Sequence, residues 1–290
     1  MQTLGAGAID EALGFAGTRG DALAIWEGAA RRWPEVARRP TAGDIAAYRR
    51  LAGSRLAGRV LLLGVTPELR DLIATAGGAP VVLDMSAGMH RATSAMLRHA
   101  NPSRETWIEA DWCEADLPVG EFDLALGDQI WWAVSIAKQR ELRDTIRSVL
   151  HGEGLFVGRF RFSEPGRAQR DPIAQVSAFL ERLEQPGADG DAIETELVYW
   201  LYDHTADHEH RRLDCARTRS VLSALAEVPQ FSRHAPFLRH AATRLAGADW
   251  TSQSREELIG LLSPRFDVVA EERAADYDSR LHPVLALRPR

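Results

Sequence analysis

The sequence predicts an α/β protein with a doubly wound, mostly parallel sheet of seven strands. Three observations favour this class. Short apolar runs alternate with helical patterns, several of these runs end in an acidic residue, and the last two follow a long helical stretch. Strands that alternate with helices form parallel sheets that are covered on both faces, so each strand is apolar along most of its length.

The predicted elements follow one another in a regular order. Residues 8–57 carry apolar residues at helical spacing, interrupted by Pro34 and Pro40, and predict N-terminal helices. The segment HGEG at 151–154 predicts the end of the helix that precedes the fifth strand. The seven strands are predicted at residues 60–63, 81–84, 107–111, 122–128, 155–162, 266–274 and 282–289.

A long helical stretch separates the fifth strand from the last two, and we expect the final strand at the edge of the sheet. The pattern predicts four parts: an N-terminal helical cap (1–57), a ligand-binding core (58–164), a helical substrate insert or lid (165–262) and closing strands of the core (263–290). Ligands of open α/β sheets lie outside the carboxyl ends of the strands, which is where this insert leaves the sheet.

Composition restricts the class of partner. The net charge of −6 argues against nucleic acid or an anionic membrane as the partner, and favours a small molecule. The sequence has no run of 18 apolar residues, and its N-terminus lacks the pattern of a signal peptide, so we expect a cytoplasmic protein. Two cysteines, Cys113 and Cys215, are too few for a disulfide framework or a cysteine-based zinc site.

The start of the core predicts a nucleoside site. The first strand ends at Gly64, Thr66 and Pro67 open the next helix, and the second strand ends in Asp84. Doubly wound folds place the carboxylate that binds ribose hydroxyls at about this interval. A dinucleotide site needs three glycines, but Thr66 and Leu69 occupy the second and third positions. No G-x-x-x-x-G-K-[ST] loop occurs either, so a nucleoside without phosphates is favoured.

These features resemble the class I methyltransferases that use S-adenosylmethionine (SAM), most clearly over residues 59–162. The resemblance implies a Rossmann-like fold and SAM as the cofactor. It implies that the turn GVTPE at 64–68 lies against SAM, that Asp84 binds the ribose, and that Asp111 and Trp112 lie at the adenine. The implied cofactor-binding residues are Gly64, Thr66, Pro67, Glu68, Asp84, Met85, Asp111, Trp112, Gly127, Asp128 and Tyr48.

The methionine end of the predicted site departs from the family. Many members carry an acid two residues before the first glycine, near the SAM ammonium, but this sequence has Leu62 there. Glu68 is the candidate replacement, although an acid in the first turn also stabilises a helix by its charge. Tyr48 lies about where an N-terminal segment of the family closes over SAM, whereas Trp26 and Trp33 are expected in the core.

The fourth strand ends in the segment GDQIWW at 127–132, which the resemblance places near the reacting methyl group. Asp128 is the candidate catalytic residue, to orient a substrate amine or accept a proton, or it caps the next helix. Of the adjacent Trp131 and Trp132, we expect one to pack inward and the other to line a pocket. The candidate substrate-binding residues are Gln129, Trp131, Trp132, Tyr199 and Tyr202.

Three histidines, His204, His208 and His210, lie close together in the insert. Histidines four residues apart are a possible zinc pattern. Their surroundings, DHTADHEHRR, are so polar that a solvated turn between helices is favoured, and no metal is expected.

Three functions remain open at this point. The favoured one is transfer of a methyl group from SAM to a small-molecule nucleophile, of secondary-metabolite or amino-acid-like type. The second is cyclisation of SAM itself to azetidine-2-carboxylate with release of methylthioadenosine, with which Leu62 is compatible. The third is a SAM-binding protein without catalysis, since the usual glycines are missing. The acceptor, the general base and the oligomeric state are not predicted.

Overall fold

The computed structural model describes residues 39–164, 166, 170–209, 211–243, 245 and 250–290. The described residues confirm the predicted fold class: a seven-stranded, mostly parallel sheet with a preceding helix and a helical insert before the last two strands. The N-terminal helices predicted before residue 39, with Trp26 and Trp33, lie outside the described residues. The division into four parts stays a prediction.

Nine strands are present in the described part of the chain, seven in the main sheet and two in a small antiparallel sheet of the insert. They are β1 (Val60–Leu63), β2 (Val81–Asp84), β3 (Thr106–Glu109), β4 (Phe122–Asp128), β5 (Leu150–Arg159), β6 (Arg212–Leu213), β7 (Trp250–Thr251), β8 (Phe266–Glu272) and β9 (Val284–Pro289). The main sheet has the order β3-β2-β1-β4-β5-β9-β8, in which β9 is antiparallel to both of its neighbours.

Helices pack on both faces of the sheet and build the insert, and several begin at residues that the sequence marks as helix starts. Thr41 and Asp44 form a capping box, Pro67 occupies the first turn of the helix after β1, and the Ser86 side chain accepts from the Met89 N–H. The helices are α1 (Ala42–Ala52), α2 (Pro67–Thr75), α3 (Ala87–Ser94), α4 (Gln139–Val149), α5 (Pro172–Leu183), α6 (Gly190–Thr205), α7 (Cys215–Ala226), α8 (Ala235–Thr243) and α9 (Arg255–Leu262).

The sheet is buried on both faces. In β1, Leu61 and Leu63 belong to one hydrophobic cluster, and Val60 and Leu62 belong to a second cluster on the opposite face. Burying each such side chain contributes about 1.5–3 kcal/mol. The insert has a third cluster of its own, built mainly by helices α5 to α8, so it is held together by more than its contacts with the sheet.

Two details of the predicted sheet were wrong. The final strand was expected at the edge, but β9 lies between β5 and β8, and residues 284–287 are all buried. An apolar strand covered on both faces is stable only inside a sheet, which leaves the edge to β8. The segment 151–154 was expected to end a helix, but β5 begins at Leu150 and runs through it by way of an irregular register against β4.

Candidate functional site

The ends of β1 and β2 bring three predicted site residues together. Gly64 has φ +90°, a left-handed conformation that favours glycine, and its N–H donates to the Leu83 carbonyl at 2.8 Å. A Cβ added to Gly64 would lie 3.6 Å from Trp112 Cζ2 and 4.0 Å from Asp84 Oδ2. The missing side chain therefore leaves room between a tight turn, an indole and a carboxylate.

Asp84 is a half-buried acid with an altered ionisation. The Ser86 N–H donates to its Oδ1 at 2.9 Å. Burial raises the pKa of Asp84 to about 7, the N–H groups of Ser86 and Met85 oppose this rise, and the charge of Asp111 adds to it. The carboxyl group is therefore close to half ionised at neutral pH, so a ligand that donates hydrogen bonds to it would favour the ionised form.

Asp111 and Trp112 lie beside this carboxylate. The indole Nε1 of Trp112 donates to the Leu83 carbonyl at 2.8 Å, which fixes the ring next to the end of β2. Asp111 Oδ1 accepts from the Cys113 N–H at 2.9 Å, and its Oδ2 lies 3.7 Å from Lys138 Nζ. Burial raises the pKa of the Cys113 thiol to about 12, and Asp111 adds to the rise, so this thiol stays protonated and unreactive.

The turn after β1 holds a carboxylate with one free oxygen. Thr66 precedes α2 without a side-chain capping bond, and Pro67 starts the helix. Glu68 Oε1 accepts from Arg39 Nε at 2.6 Å, whereas its Oε2 is buried and has no hydrogen-bond partner among the described residues. An unpaired buried oxygen is costly, so it fits a ligand that brings a donor. Leu62 is fully buried in the sheet core and offers no polar group.

Asp128 at the end of β4 lies in a closed network of ion pairs. Its two oxygens accept from Arg159 Nε at 2.8 Å and from Arg159 Nη2 at 3.0 Å. Arg159 Nη1 also donates to Asp44 Oδ2 at 2.6 Å. Burial opposes the charge of Arg159, but the carboxylates of Asp128 and Asp44 outweigh it and raise the pKa of the guanidinium. Burial raises the pKa of Asp128, against the attraction of Arg159.

The Tyr48 hydroxyl joins this network to the backbone. It donates to the Gly127 carbonyl at 2.9 Å, accepts from the Arg159 N–H at 2.7 Å and lies 3.2 Å from Asp128 Oδ1. The side chain is fully buried. Tyr48 therefore connects α1 by hydrogen bonds to the ends of β4 and β5, and its hydroxyl has no hydrogen-bonding capacity left for a ligand.

Sequence reasoning missed three members of this network, Arg159, Asp44 and Tyr277, whose hydroxyl donates to Asp44 Oδ1 at 3.1 Å. A signal was present in the strand segment LFVGRFRF, because an arginine within an apolar strand is rare unless it is paired. The partners of that arginine lie 31 and 115 residues away, so no local pattern identifies them.

Trp131 and Trp132 are both buried, in different hydrophobic clusters. Trp131 stacks on Phe160 in the sheet core, and Trp132 stacks on Trp250 in the insert core. The expectation that only one of them packs inward was wrong, because the 3-10 turn that carries them lies where the two cores meet.

The remaining predicted substrate residues extend from β4 into the insert. Gln129 has φ +54° and its Nε2 donates to the Tyr199 hydroxyl at 3.0 Å. The Tyr199 ring stacks on His282 with ring centroids 3.9 Å apart. Tyr202 is fully buried in the insert core, with its hydroxyl 3.5 Å from Cys215 Sγ. Gln129 and Tyr199 are therefore in contact, whereas Tyr202 packs within the insert.

The two described histidines of the predicted group, His204 and His208, have different partners. His204 stacks on Trp200 with ring centroids 5.0 Å apart, and His208 Nε2 lies 3.1 Å from the Asp203 carbonyl oxygen. His210 lies outside the described residues. Within the part of the chain that the structure describes, no group of three or more His, Cys, Asp or Glu side chains could hold a metal ion. No helix in that part has both the length and the apolarity to cross a bilayer.

No protein-family model and no curated protein sequence matches this chain. Solved structures do match it. A Rhodobacter sphaeroides protein described as a zinc-dependent alcohol dehydrogenase has 14% identity and a TM-score of 0.57, covering 93% of this chain and 98% of its own. The CcbJ methyltransferase from Streptomyces caelestis has 16% identity and a TM-score of 0.53, with 87% and 90% covered.

A third match is the 1,6-didemethyltoxoflavin-N1-methyltransferase of Burkholderia thailandensis, solved with 1,6-didemethyltoxoflavin and S-adenosylhomocysteine (SAH). It has 15% identity and a TM-score of 0.52, covering 100% of this chain and 92% of its own. Identities this low are evidence of a shared fold alone. The chain therefore shares a Rossmann-like fold with these methyltransferase structures, as the alternation of strands and helices in its sequence predicts.

Proposed function

We propose that this protein binds SAM and transfers its methyl group to a small-molecule nucleophile. The observation that carries the proposal is the meeting of Gly64, Asp84 and Trp112 at the carboxyl ends of β1 and β2. A ribose needs a carboxylate there, and an adenine needs a flat apolar wall beside it. Both are present within reach of a glycine turn that has no phosphate clamp.

The comparisons support a methyl donor over a dinucleotide. Matched structures with this fold include two methyltransferases, one of them solved with the small molecule 1,6-didemethyltoxoflavin and SAH. The dehydrogenase description of another match fits this chain less well, because Thr66 and Leu69 stand where a pyrophosphate needs glycines. The fit favours SAM as the cofactor.

Each end of SAM has residues that would hold it. Asp84 would accept from both ribose hydroxyls, with Met85 beside it, and Asp111 and Trp112 would flank the adenine. At the other end, the free oxygen of Glu68 would accept from the ammonium group. The turn residues that would lie against the cofactor are Gly64, Thr66 and Pro67.

When bound, SAM supplies a methyl group on a positively charged sulfur. The work left to the protein is alignment, because holding the reacting atoms in line removes much of the barrier. Gly127 and Asp128 end β4, which lies beside β1 on the side away from β2, where the resemblance implies that the reacting methyl group would lie. Asp128 is occupied by Arg159 through both oxygens, so we assign it a positioning role and no proton transfer.

The proposal is tested by binding and product analysis. Excess SAH should stabilise the protein in a thermal unfolding assay, by about 2.7 kcal/mol at 100 times the dissociation constant. SAM incubated with a panel of small amines, phenols and carboxylic acids should yield SAH only when an acceptor is present. Methylthioadenosine formed without an acceptor would indicate cyclisation instead. The absence of any stabilisation by SAH or SAM would contradict the proposal.

Cofactor affinity should depend on pH through Asp84. Its pKa is about 7 in the free protein, and ribose hydroxyls bind the ionised form, so protonation below pH 7 competes with binding. We expect the dissociation constant for SAH to rise by about tenfold per pH unit below pH 7, and to be constant above pH 8. Calorimetry from pH 5.5 to 8.5 measures this. A flat profile in the unaltered protein would refute the assignment, and the Asp84→Asn variant should give one.

The methionine end can be tested separately from the nucleoside end. We expect Glu68→Gln to weaken SAH by about 10–150-fold, because a hydrogen bond to a charged group contributes about 1.5–3 kcal/mol. 5′-Methylthioadenosine lacks the ammonium, so its affinity should not change. Glu121→Gln is the control, since Glu121 is 40% exposed and directly precedes β4, at the amino ends of the parallel strands and so away from the proposed site. An equal loss for both ligands would disprove the ammonium contact.

A further inference from the structure

A cavity of about 530 Å³ lies between helices α5 and α6 and the loop that joins β8 to β9. Its floor is formed by buried aromatic side chains of these elements: Phe179, Tyr199, Trp200, Tyr277 and His282. A cavity of this volume holds a small organic ligand, and flat aromatic walls favour a ring system.

The acidic groups at the rim of the cavity are already bound. Glu196 accepts from Arg182 Nη1 at 2.6 Å and from the Asp278 N–H at 3.0 Å. Asp276 accepts from Thr41 Oγ1 at 3.0 Å and from the Gly43 N–H at 2.9 Å. A cationic ligand would therefore have to compete with the protein's own donors for these carboxylates.

Two of the three arginines at the cavity, Arg182 and Arg280, are already paired with acids of the rim. Arg170 is less well used, because its Nη2 reaches a Glu164 oxygen only at 3.4 Å and a guanidinium offers five N–H groups. Arg170 is therefore the rim donor with most capacity left for a ligand, and a ligand with acceptor oxygens suits it.

The floor of the cavity is hydrogen-bonded to the proposed methyl-transfer site. The Tyr199 hydroxyl accepts from Gln129, the residue after β4. The Tyr277 hydroxyl donates to Asp44, which pairs with Arg159 at the end of β5. Two of the five floor residues thus contact side chains, those of Gln129 and Asp44, that lie beside the carboxyl ends of β4 and β5.

We infer that this cavity binds the methyl acceptor, and that the acceptor is an aromatic carboxylate. Its ring lies on the aromatic floor, and its carboxylate accepts from the guanidinium of Arg170 at the rim, where charge-assisted hydrogen bonds are strong. The inference rests on the proposed function for the role of acceptor, while the preference for an aromatic anion rests on the cavity itself.

Three probes with the same ring test the charge preference: indole-3-acetate, the neutral indole-3-acetamide and the cationic tryptamine. We expect indole-3-acetate to bind at least tenfold more tightly than the other two in calorimetry. Arg170→Gln should remove this preference. Arg239→Gln is the control, because Arg239 is an exposed insert arginine paired with Glu227 outside the cavity.

Equal binding of the three probes, tighter binding of tryptamine, or no binding at millimolar concentration would overturn the inference. SAH binding is measured in the same samples. Bound SAH without selective binding of indole-3-acetate would refute the cavity assignment and leave the proposed function in place. Selective binding of indole-3-acetate, lost in Arg170→Gln, in a protein that does not bind SAH would support the aromatic-anion site and refute the methyl donor.

Discussion

Replacing Arg159 with methionine should lower the free energy of unfolding by about 3–5 kcal/mol, the range seen when one partner of a buried ion pair is removed. Arg159 is 2% exposed and is the shared partner of Asp44 and Asp128. Methionine keeps much of the volume but leaves two buried carboxylates without compensation. Chemical denaturation at pH 8 measures the loss.

The pH dependence of this loss identifies its cause. Without the guanidinium, burial raises the pKa of Asp128 further in the folded state, so this part of the penalty is present at high pH and is lost as falling pH protonates Asp128. The difference between the variant and the unaltered protein should therefore shrink at pH 5. Adding Asp44→Asn to the variant should restore part of the stability. Arg265→Met, which removes an exposed pair with Asp144, should change it by less than about 0.5 kcal/mol. A loss of similar size in both arginine variants would contradict the argument.

Asp84→Asn should weaken SAH by about 10–150-fold while making the free protein more stable at pH 8. The pKa of Asp84 is raised to about 7 on folding, so its charge opposes folding fully above pH 7, and the effect fades as the pH falls to the unfolded pKa of about 4. Asparagine carries no charge at any of these pH values. The melting temperature should rise at pH 8, by about 2–4 °C per kcal/mol, and change far less at pH 4.

The opposite signs of the two effects separate a ligand-binding acid from a structural one. A structural acid would lose stability and affinity together when it is neutralised. Ser86→Ala is a useful comparison, since it removes the capping side chain of α3 next to Asp84 and should lower stability by about 1 kcal/mol. If Asp84→Asn behaves like Ser86→Ala in thermal unfolding, the ribose assignment fails.

The parts of the fold and site that the sequence predicted are those encoded locally. Gly64 and Asp84 each end an apolar run, and parallel strands bring their carboxyl ends to one edge, so their meeting follows from the pattern. The position of β9 was not predictable in this way, because strand order depends on pairing between β5 and a segment more than 120 residues later in the chain.

The network around Asp128 shows the same limit at the level of side chains. The sequence context of Asp128 suggested a catalytic acid. In the structure, however, Asp128 pairs with Arg159 of the next strand, and Tyr48 and Asp44 of α1 complete the network. These contacts exist only after the sheet and helix have packed. Trp131 and Trp132 were mispredicted for a related reason, since a single-core picture does not allow for a second hydrophobic core in the insert.

The position of β9 also determines the order in which the molecule can be completed during synthesis. β8 pairs only with β9 in the described sheet, and β9 follows both β5 and β8 in the sequence. Until β9 has been synthesised, β5 therefore has β4 as its one neighbour, and β8 has no partner in the sheet. The sheet closes only when β9 becomes available, and until then the unpaired edge of β5 is open to association between nascent chains.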